Sequence, residues 1–399
     1  MSRRYKFDRL EFAGSLGDLG TLLPLAIGMI LINNLNPSGL FLSIGLYYII
    51  SGCYFGVPVP VQPMKVIGAY AIATAMNPSQ IMASGALMCI VLFIVGLTNI
   101  ATIMGRYTPK SVVRGVQLST GILLVAEGVR FMIGTSKFQI LSKAAEPYLN
   151  MQAIGPVPIG ILIGTIGGLL TLLLLENKRL PAGLFVVFGG ILFGIVLGTH
   201  HNLDKLRLAI HLPNVLPFGF PSGADFTFAL FALVLPQIPM TMGNAVIAYS
   251  DLSKEYFGKD SKRVTYRGSC ISMAFANLIS FFLGGMPLCH GAGGLAAHYR
   301  FGARTAGSNL IIGLIFLTLA VFLGTQVLSV ANLLPMSILG VLLLFAGSQL
   351  ALTIVDMNER KDLFVAFVML GITLATNLAV GFIIGFCLAY CLKSERLNV

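Results

Sequence analysis

Long apolar runs, broken by glycine, proline and short polar stretches, fill most of the chain. Runs such as Ile81–Ile100 and Leu184–Gly198 match or nearly match the roughly 20 apolar residues with which an α-helix crosses a bilayer. Many such runs recur, so the pattern predicts an all-α polytopic membrane protein of about 14 spans. In chain order, the predicted spans cover residues 14–32, 39–56, 61–76, 80–104, 111–134, 154–176, 181–199, 226–249, 266–284, 288–299, 305–330, 334–355, 362–376 and 377–393.

Two of these segments, spans 3 and 10, are too short to cross the bilayer as whole helices. They follow or overlap a proline-rich stretch, GVPVPVQPMK (Gly56–Lys65), and a glycine-rich one, GGMPLCHGAGG (Gly284–Gly294). Each is the third of seven spans in its half, 1–199 or 200–399. Short, interrupted segments in corresponding positions of two halves indicate a transporter's binding site. With seven spans per half, the halves enter the membrane from opposite sides, which predicts a 7+7 inverted repeat.

Composition and charge agree with a membrane protein. The chain is 56% hydrophobic and 10% charged, whereas about a quarter of the residues of a soluble domain are charged. The net charge of +11 would suggest nucleic acid for a soluble protein, but here it fits basic cytoplasmic loops. Most of the 26 lysines and arginines fall on the side that holds both termini. We therefore expect cytoplasmic N- and C-termini in a plasma or inner membrane, and no nucleic-acid partner.

The start of the chain, the cysteines and the histidines indicate whether a signal peptide, disulfides or a metal site should be expected. Met1–Glu11 is polar and basic, so no cleavable signal peptide is expected. The six cysteines show no pairing pattern, and we interpret them as reduced, small apolar residues. His200, His201 and His211 fall in the predicted outer loop between spans 7 and 8, and their spacing lacks a recognised metal-ligand pattern. Neither a metal nor a cofactor is expected.

The interrupted segments predict paired helix starts inside the membrane. Pro58, Pro60 and Pro63 favour an extended approach with a helix beginning near Pro63, and the stretch around Pro287 would do the same in the second half. Two helix N-termini would then face each other near the middle of the membrane. Each offers free N–H groups and partial positive charge, which favour an anion.

The side chains near these helix starts are mostly hydrogen-bond donors, which suits a small oxyanion. They are Gln62, Lys65, His290 and Arg304. The first span of each half adds a stretch predicted to be non-helical, GSLGDLGT (14–21) and PQIPMTMGNAV (236–246). Polar groups of these stretches would complete a ring around the ligand: Asp18, Thr21, Gln237, Thr241 and Asn244.

Each candidate has a structural alternative. Lys65 could be a lysine that reaches the interface, although its position directly after a break favours a ligand or counter-ion role. His290 could be a satisfied core histidine, a substrate ligand, or a group whose protonation tunes anion affinity. Cys289 and His290 resemble a nucleophile and base, but neighbours in sequence rarely face each other and no orienting carboxylate is evident, so no enzyme activity is expected. Arg304 could simply be a cytoplasmic basic residue.

Intramembrane carboxylates are candidates for proton coupling, because they are costly to bury. Glu127 lies deep in span 5 with Arg130 on the same helical face, and the alternative is a local ion pair near the outer interface. Asp18 could pair with Lys65, cap a helix, or be protonated during transport. The proton-coupling candidates are Asp18, Glu127 and His290.

Four stretches carry a resemblance to a known family: GDLGTLLP, PVQPMKVIGA, PQIPMTMGNAV and MPLCHGAGGLAAHYRFGAR. They resemble the signatures of the molybdate transporter family related to the sulfate permeases, and the resemblance covers nearly the whole chain. His298 stands where glutamine is expected. The resemblance implies molybdate uptake and a fold similar to sulfate and uracil permeases. Its core would come from spans 1–4 and 8–11 and its gate from spans 5–7 and 12–14, with no soluble regulatory domain.

The resulting hypothesis is a secondary active importer of molybdate that works by alternating access. The dianion would be held by Gln62, Lys65, His290 and the amides of Gly291, Ala292 and Gly293. Uptake of a dianion against an inside-negative potential needs a driving ion, and proton symport is the working hypothesis. Four other interpretations stay open: tungstate as substrate, a sulfate or general oxyanion carrier, a proton-coupled nucleobase permease, and a passive anion channel. A homodimer is also left open.

Overall fold

The computed structural model describes residues 5–98, 100, 103, 107–175, 177, 182–201 and 209–394. Some of the basic residues that set the predicted orientation lie outside this part of the chain, as do the last residues of predicted span 4 and the first of span 7. These basic residues stand at positions 3, 4, 106, 178, 179, 205, 207 and 396.

The described part of the first half is mostly helical. Its elements are α1 (Arg9–Ser15), α2 (Leu19–Leu31), α3 (Pro37–Phe55), β1 (Gln62–Pro63), α4 (Lys65–Thr74), α5 (Pro78–Thr98), α6 (Lys110–Ile133), α7 (Lys137–Ser142), β2 (Ala153–Ile154), β3 (Val157–Pro158), α8 (Ile159–Leu174) and α9 (Ala182–Leu197).

The described part of the second half is also mostly helical, with one two-residue strand. Its elements are α10 (Gly223–Ala229), a π-helical turn (Leu230–Val234), α11 (Leu235–Met240), a π-helical stretch (Thr241–Ala248), α12 (Tyr249–Phe257), α13 (Tyr266–Leu283), β4 (Leu288–Cys289), α14 (Ala292–Arg300), α15 (Gly307–Leu323), α16 (Val327–Ala331), α17 (Met336–Ala351), α18 (Arg360–Ala375) and α19 (Leu378–Cys391). Short 3-10 turns follow α12, α15 and α17.

A helical segment coincides with each of the fourteen predicted intervals. Among the described residues, six helical stretches are long and apolar enough to cross a membrane, and the bent pair α1–α2 would make a seventh. The six are Pro37–Phe55, Pro78–Thr98, Lys110–Ser142, Gly223–Ser261, Gly307–Ala331 and Met336–Asp356. The count of 14 spans and the inverted repeat therefore stay predictions, while an integral membrane protein is supported.

The two stretches predicted to be non-helical behave differently. In the first, the chain breaks between α1 and α2, which are bent by 41° around Asp18. In the second, the prediction was wrong, because residues 235–248 continue a long helix as α11 and a π-helical stretch. Pro236 and Pro239 both lie within this continuous helix, and the wider π-helical turns before and after α11 accommodate them. Single π-helical turns occur often at functional sites.

The two short interrupted segments meet as a two-stranded antiparallel ladder. Gln62 pairs with Cys289 and Pro63 with Leu288, and Met64 N donates to Pro287 O at 2.9 Å. These bonds satisfy backbone groups that leave the helix in the interior, which an apolar environment requires. The ladder holds the starts of α4 and α14 close together. The sequence predicted the extended segments before these helices, but not their pairing.

Close helix packing surrounds this ladder. The backbones of α6 and α17 approach at two glycine pairs: a Cβ added at Gly121 would lie 2.6 Å from Gly347 O, and one at Gly340 would lie 2.5 Å from Gly128 O. Small residues allow such crossings in membrane proteins. In addition, α5 packs on α13 and α3 on α15. The predicted repeat relates α3 to α13 and α5 to α15, so it would convert one of these helix pairs into the other.

A buried carboxylate outside the spans fixes the start of α17. The Glu146 oxygens accept from the main-chain N–H groups of Met336 and Ser337, both at 2.8 Å. Burial raises the pKa of Glu146 above its usual range, although these donors and the Ser337 hydroxyl oppose the shift. The cap secures the helix that forms one wall of the candidate site.

Candidate functional site

A cavity of about 430 Å³ lies at the starts of α4 and α14. Its polar walls bring together five of the residues singled out in the sequence: Asp18, Thr21, Lys65, Asn244 and Gly293. They come from four separate elements, all in spans assigned to the predicted core. The opposite wall comes from spans assigned to the predicted gate, with the lining residues Gln117, Leu124, Thr171, Leu175, Asn177, Ala182, Gly183, Leu342, Phe345, Ala346, Gln349, Leu350 and Thr353.

Lys65 is the first residue of α4 and lines this cavity. Among the described residues, its ammonium group has no hydrogen-bond or ion-pair partner. Pairing with Asp18, one of the alternatives considered from the sequence, is not formed. A cation without a partner at the wall of a cavity can bind an anionic ligand at little cost in existing contacts. Lys65 therefore has the geometry that a substrate ligand needs.

The first free amides of α4 are not available to a ligand, contrary to the expectation that they would face the anion. The N–H groups of Val66 and Ile67 donate to Gln237 Oε1 at 3.0 and 3.3 Å. The Gln237 amide in turn donates to Thr241 Oγ1 at 2.9 Å. Gln237 and Thr241 thus cap α4 from the long helix, and Lys65 carries the positive charge at this side of the cavity.

Asp18 and Gln62 form a buried pair beside the start of α14. The Gln62 amide donates to both carboxylate oxygens of Asp18 at 2.8 Å, and the other Gln62 atom, Oε1, is buried without a partner among the described groups. Asp18 precedes α2, but its side chain makes no capping bond there. A Cβ at Gly294 would clash with the Asp18 carboxylate and lie 2.7 Å from Gln62 Nε2. The pair therefore packs directly on the first turn of α14.

The first turn of α14 presents backbone donors to the cavity. Gly291 precedes the helix in an extended conformation, and no side chain caps it among the described residues. The N–H groups of Ala292, Gly293 and Gly294 consequently have no partner within the helix. Gly293 lines the cavity and has open space where a side chain would stand. Gly291 instead packs against Gln62 Oε1.

His290 lies behind the site rather than on the cavity wall. Its ring is fully buried and stacks between Tyr47 and Tyr249, with centroid distances of 5.1 and 4.8 Å. Nδ1 lies 3.0 Å from Pro60 O, and Nε2 lies 2.8 Å from Tyr47 Oη and 3.2 Å from Ser272 Oγ. These contacts fit a neutral ring that ties β4 to the segment before β1. Its role as a substrate ligand stays a prediction.

Arg304 also does not line the cavity. Its guanidinium lies 3.6 Å from the centroid of the Tyr299 ring and donates to Tyr299 O. Its main-chain N–H donates to the buried carboxylate of Glu11 at 3.0 Å. In this structure Arg304 joins α1 to the segment after α14.

Glu127 lines a different, smaller cavity. Its carboxylate lies 3.1 Å from the Arg130 guanidinium, so the local ion pair considered from the sequence is present. This pair lies beside the C-terminal end of α4, away from Lys65. Its role as a proton carrier stays a prediction.

Several polar residues of the cavity were not singled out from the sequence. Gln117 and Gln349 are amides within apolar spans, a signal that could have identified them. Arg300, at the end of α14, lines the same cavity. The charged residues of the described lining are Asp18, Lys65 and Arg300. Two cations against one carboxylate, with helix amides beside them, favour a small anion.

Comparison with known proteins agrees with this chemistry. Residues 10–124 and 229–350 match the model of a family described as "Molybdate transporter of MFS superfamily". The chain is 31% identical to Molybdate transporter 2 of Arabidopsis thaliana over 396 residues, which cover 91% of this chain and 82% of that protein.

Solved structures show the fold. SLC26A9 aligns with 98% of this chain at a TM-score of 0.67 and 14% identity, and the match covers 66% of SLC26A9. The transmembrane domain of a cyanobacterial bicarbonate transporter, BicA, aligns with 96% of this chain and 98% of its own length, at a TM-score of 0.64 and 13% identity. The chain therefore shares the fold of these two proteins, and the family model and the relative show that it belongs to the molybdate transporter family.

Proposed function

We propose that this protein is a secondary active transporter that imports molybdate by alternating access. The observation that carries the proposal is the Lys65 ammonium, which lies without a described partner beside the uncapped first turn of α14. Both face one cavity between the predicted core and gate. The description of the matched family and the name of the relative support molybdate as the oxyanion.

The dianion would bind between charge and backbone donors. Lys65 supplies a full positive charge. The N–H groups of Ala292 and Gly293 supply hydrogen-bond donors and the partial positive charge of the N-terminal end of α14. Thr21 and Asn244 line the same space and can donate to further oxygens. Tetrahedral oxyanions expose four oxygens, so donors from several elements suit them better than one flat surface.

Asp18 is the best-placed proton carrier. It lines the substrate cavity, whereas the His290 ring is fully hydrogen-bonded and Glu127 is paired with Arg130 elsewhere. A proton on Asp18 removes a negative charge that faces the dianion. Proton and molybdate would therefore strengthen each other's binding, and such coupling is reciprocal. Each inward negative charge costs about 2.3 kcal/mol per 100 mV, which co-transported protons offset.

The structure corresponds, in this proposal, to the state open to the cytoplasm. The cavity reaches Arg300 at the end of α14, on the side that the positive-inside rule assigns to the cytoplasm. The ladder of β1 and β4 keeps both half-helices together, so the core would move as one body against α6 and α17.

The Asp18→Asn variant tests the coupling. We expect it to bind molybdate at least as tightly as the unmodified protein, because a repelling charge is removed and the amide can still accept from Gln62. Its uptake into proteoliposomes should no longer respond to an imposed pH gradient. The control is Asp362→Asn in the first turn of α18, which lines neither cavity. If Asp18→Asn still responds fully to the gradient, another group carries the proton.

Substrate class is tested by competition binding. Purified protein is titrated with molybdate in the presence of excess sulfate or uracil. We expect saturable molybdate binding that uracil does not affect and excess sulfate does not abolish. Equal competition by sulfate would indicate a general oxyanion carrier. Uracil binding without oxyanion binding would contradict the proposal.

A further inference from the structure

A second cavity of about 220 Å³ lies on the seam between the predicted core and gate. Its apolar wall comes from the ends of α2 and α4, through Ile32, Ile72 and Ala75. Its polar wall comes from α6 and α7. The charged residues of the described lining are Glu127, Arg130 and Lys137.

The same two helices connect this cavity to the substrate cavity. In α4, Lys65 lines the substrate cavity and Ala73 the second one. These two residues are eight positions apart, a rise of about 12 Å at 1.5 Å per residue. In α6, Leu124 lines the substrate cavity and Glu127 the second one, only one helical turn away. The packed contact of α4 with α6 separates the two spaces. They therefore lie in line along one seam, at opposite ends of a half-helix.

The charges of the second cavity leave it net positive. Glu127 is nearly buried, with 7% of its side chain exposed, and lies 3.1 Å from Arg130, which is 56% exposed. Lys137 begins α7, which a capping box of Ser136 and Gln139 holds in place. The Lys137 ammonium has no hydrogen-bond or ion-pair partner among the groups that the structure describes.

The C-terminal end of α4, which carries the negative end of the helix dipole, faces this cavity. Several of the carbonyl groups there already accept hydrogen bonds. Asn33 Nδ2 donates to Ala71 O at 2.8 Å and to Met76 O at 2.9 Å. The N–H of Ala75 also bonds back to the last turn of α4. The carbonyl groups at this helix end are thus partly neutralised, and the side chains set the sign of the potential.

We propose that this cavity is a second, outer binding site for the same small oxyanion, where Arg130 exchanges Glu127 for the arriving anion and Lys137 supplies a further charge. The inference rests on the proposed oxyanion transport. Arg130 is 56% exposed, so it can turn from its single carboxylate to a dianion, which carries the larger charge. The nearly buried Glu127 is then left without a partner, and this cost keeps binding at the outer site weak. Glu127 then acts as a competitor of the substrate for Arg130.

The test measures transport separately from each face. Intact expressing cells report the outer face and inside-out vesicles report the inner face. Equilibrium binding to purified protein reports both cavities, and its tighter component reports the substrate cavity. The variants are Arg130→Gln, Lys137→Gln and Glu127→Gln. The matched control is Lys143→Gln, an exposed lysine of the following turn that lines neither cavity.

Loss of a positive charge and loss of the Glu127 charge should change the KM for outer-face uptake in opposite directions. Arg130→Gln and Lys137→Gln should raise the KM for outer-face uptake about five-fold at low ionic strength, and less at high salt, because the effect is electrostatic. Glu127→Gln should lower that KM, because Arg130 is released for the anion. KM at the inner face and the Kd of the tighter binding component of the purified protein should not change, and Lys143→Gln should behave as the unmodified protein.

Three outcomes would overturn the outer site. They are no change of outer-face KM in both charge-removal variants, equal changes at both faces, or loss of pH-driven accumulation in Glu127→Gln with an unchanged KM. Lys137→Gln keeps the test valid if Arg130→Gln fails to fold, since it leaves the Glu127 ion pair intact. Failure of the proposed function itself would appear separately, as absence of oxyanion binding to the unmodified protein.

Discussion

Replacing Lys65 by methionine should weaken molybdate binding by roughly 100-fold, or about 3 kcal/mol, the usual size of losing a buried charged partner of an anion. The side chain keeps its length and apolar stem but loses the charge that lines the cavity at the start of α4. Because the ammonium has no described partner in the protein, its removal leaves no uncompensated charge behind. Titration calorimetry on purified protein measures the Kd directly.

The control for this prediction is Lys65→Arg, which keeps the positive charge with a different shape. We expect it to retain much more affinity than Lys65→Met. The thermal unfolding temperature without molybdate should be similar for both variants and the unmodified protein. Equal affinity of Lys65→Met and the unmodified protein would remove Lys65 from the site, whatever the substrate.

Replacing Gly294 by alanine should reduce uptake at least ten-fold, since a methyl group there meets three groups at once. It would clash with the Asp18 carboxylate and lie 2.7 Å from Gln62 Nε2 and 2.8 Å from Pro60 Cβ. Forcing a group into a packed site costs about 1–3 kcal/mol. Alanine would otherwise stabilise the helix by about 1 kcal/mol. A loss must therefore arise from displacement of the Asp18–Gln62 pair, measured as initial uptake rate per folded transporter.

The neighbouring Gly293 provides a matched control. It lies one position earlier in the same helix turn, and no atom stands within 4 Å of an added Cβ. Gly293→Ala should fold as well as the unmodified protein and keep its Kd within about three-fold, the scale of a small shape change in an open pocket. If the two alanine variants lose uptake equally, the packing of Asp18 against α14 is not the cause.

Local sequence signals predicted the parts of this fold that depend on the backbone. Three prolines before Lys65 and three glycines after His290 mark the two interrupted segments, and both half-helices begin within a few residues of the predicted positions. Proline and glycine act on their own φ and ψ angles, so their effect can be deduced without knowing the neighbours. The helix of residues 235–248 was missed because wide π-helical turns accommodate prolines that usually end a helix.

Side-chain partners were harder to predict, since they join distant parts of the chain. The sequence identified Gln237 and Gln62 as polar groups at the right depth. It could not show that Gln237 caps α4, or that Gln62 donates to Asp18. His290 lies close to the predicted helix start, but only the stacking of Tyr47 and Tyr249 reveals that its ring faces away from the cavity. The position of these residues in the sequence predicted how deeply they lie in the fold, but not which way their side chains point.

The ladder of β1 and β4 also constrains how the protein is made. Pro63 and Cys289 are 226 positions apart, and a ribosome adds about 5–20 residues per second. The first half-helix therefore waits roughly ten to forty-five seconds in the translocation machinery before its backbone partner is synthesised. During this interval Met64 N lacks its acceptor, Pro287 O. A nascent chain that ends before residue 289 cannot contain the ladder that holds the two half-helix starts together.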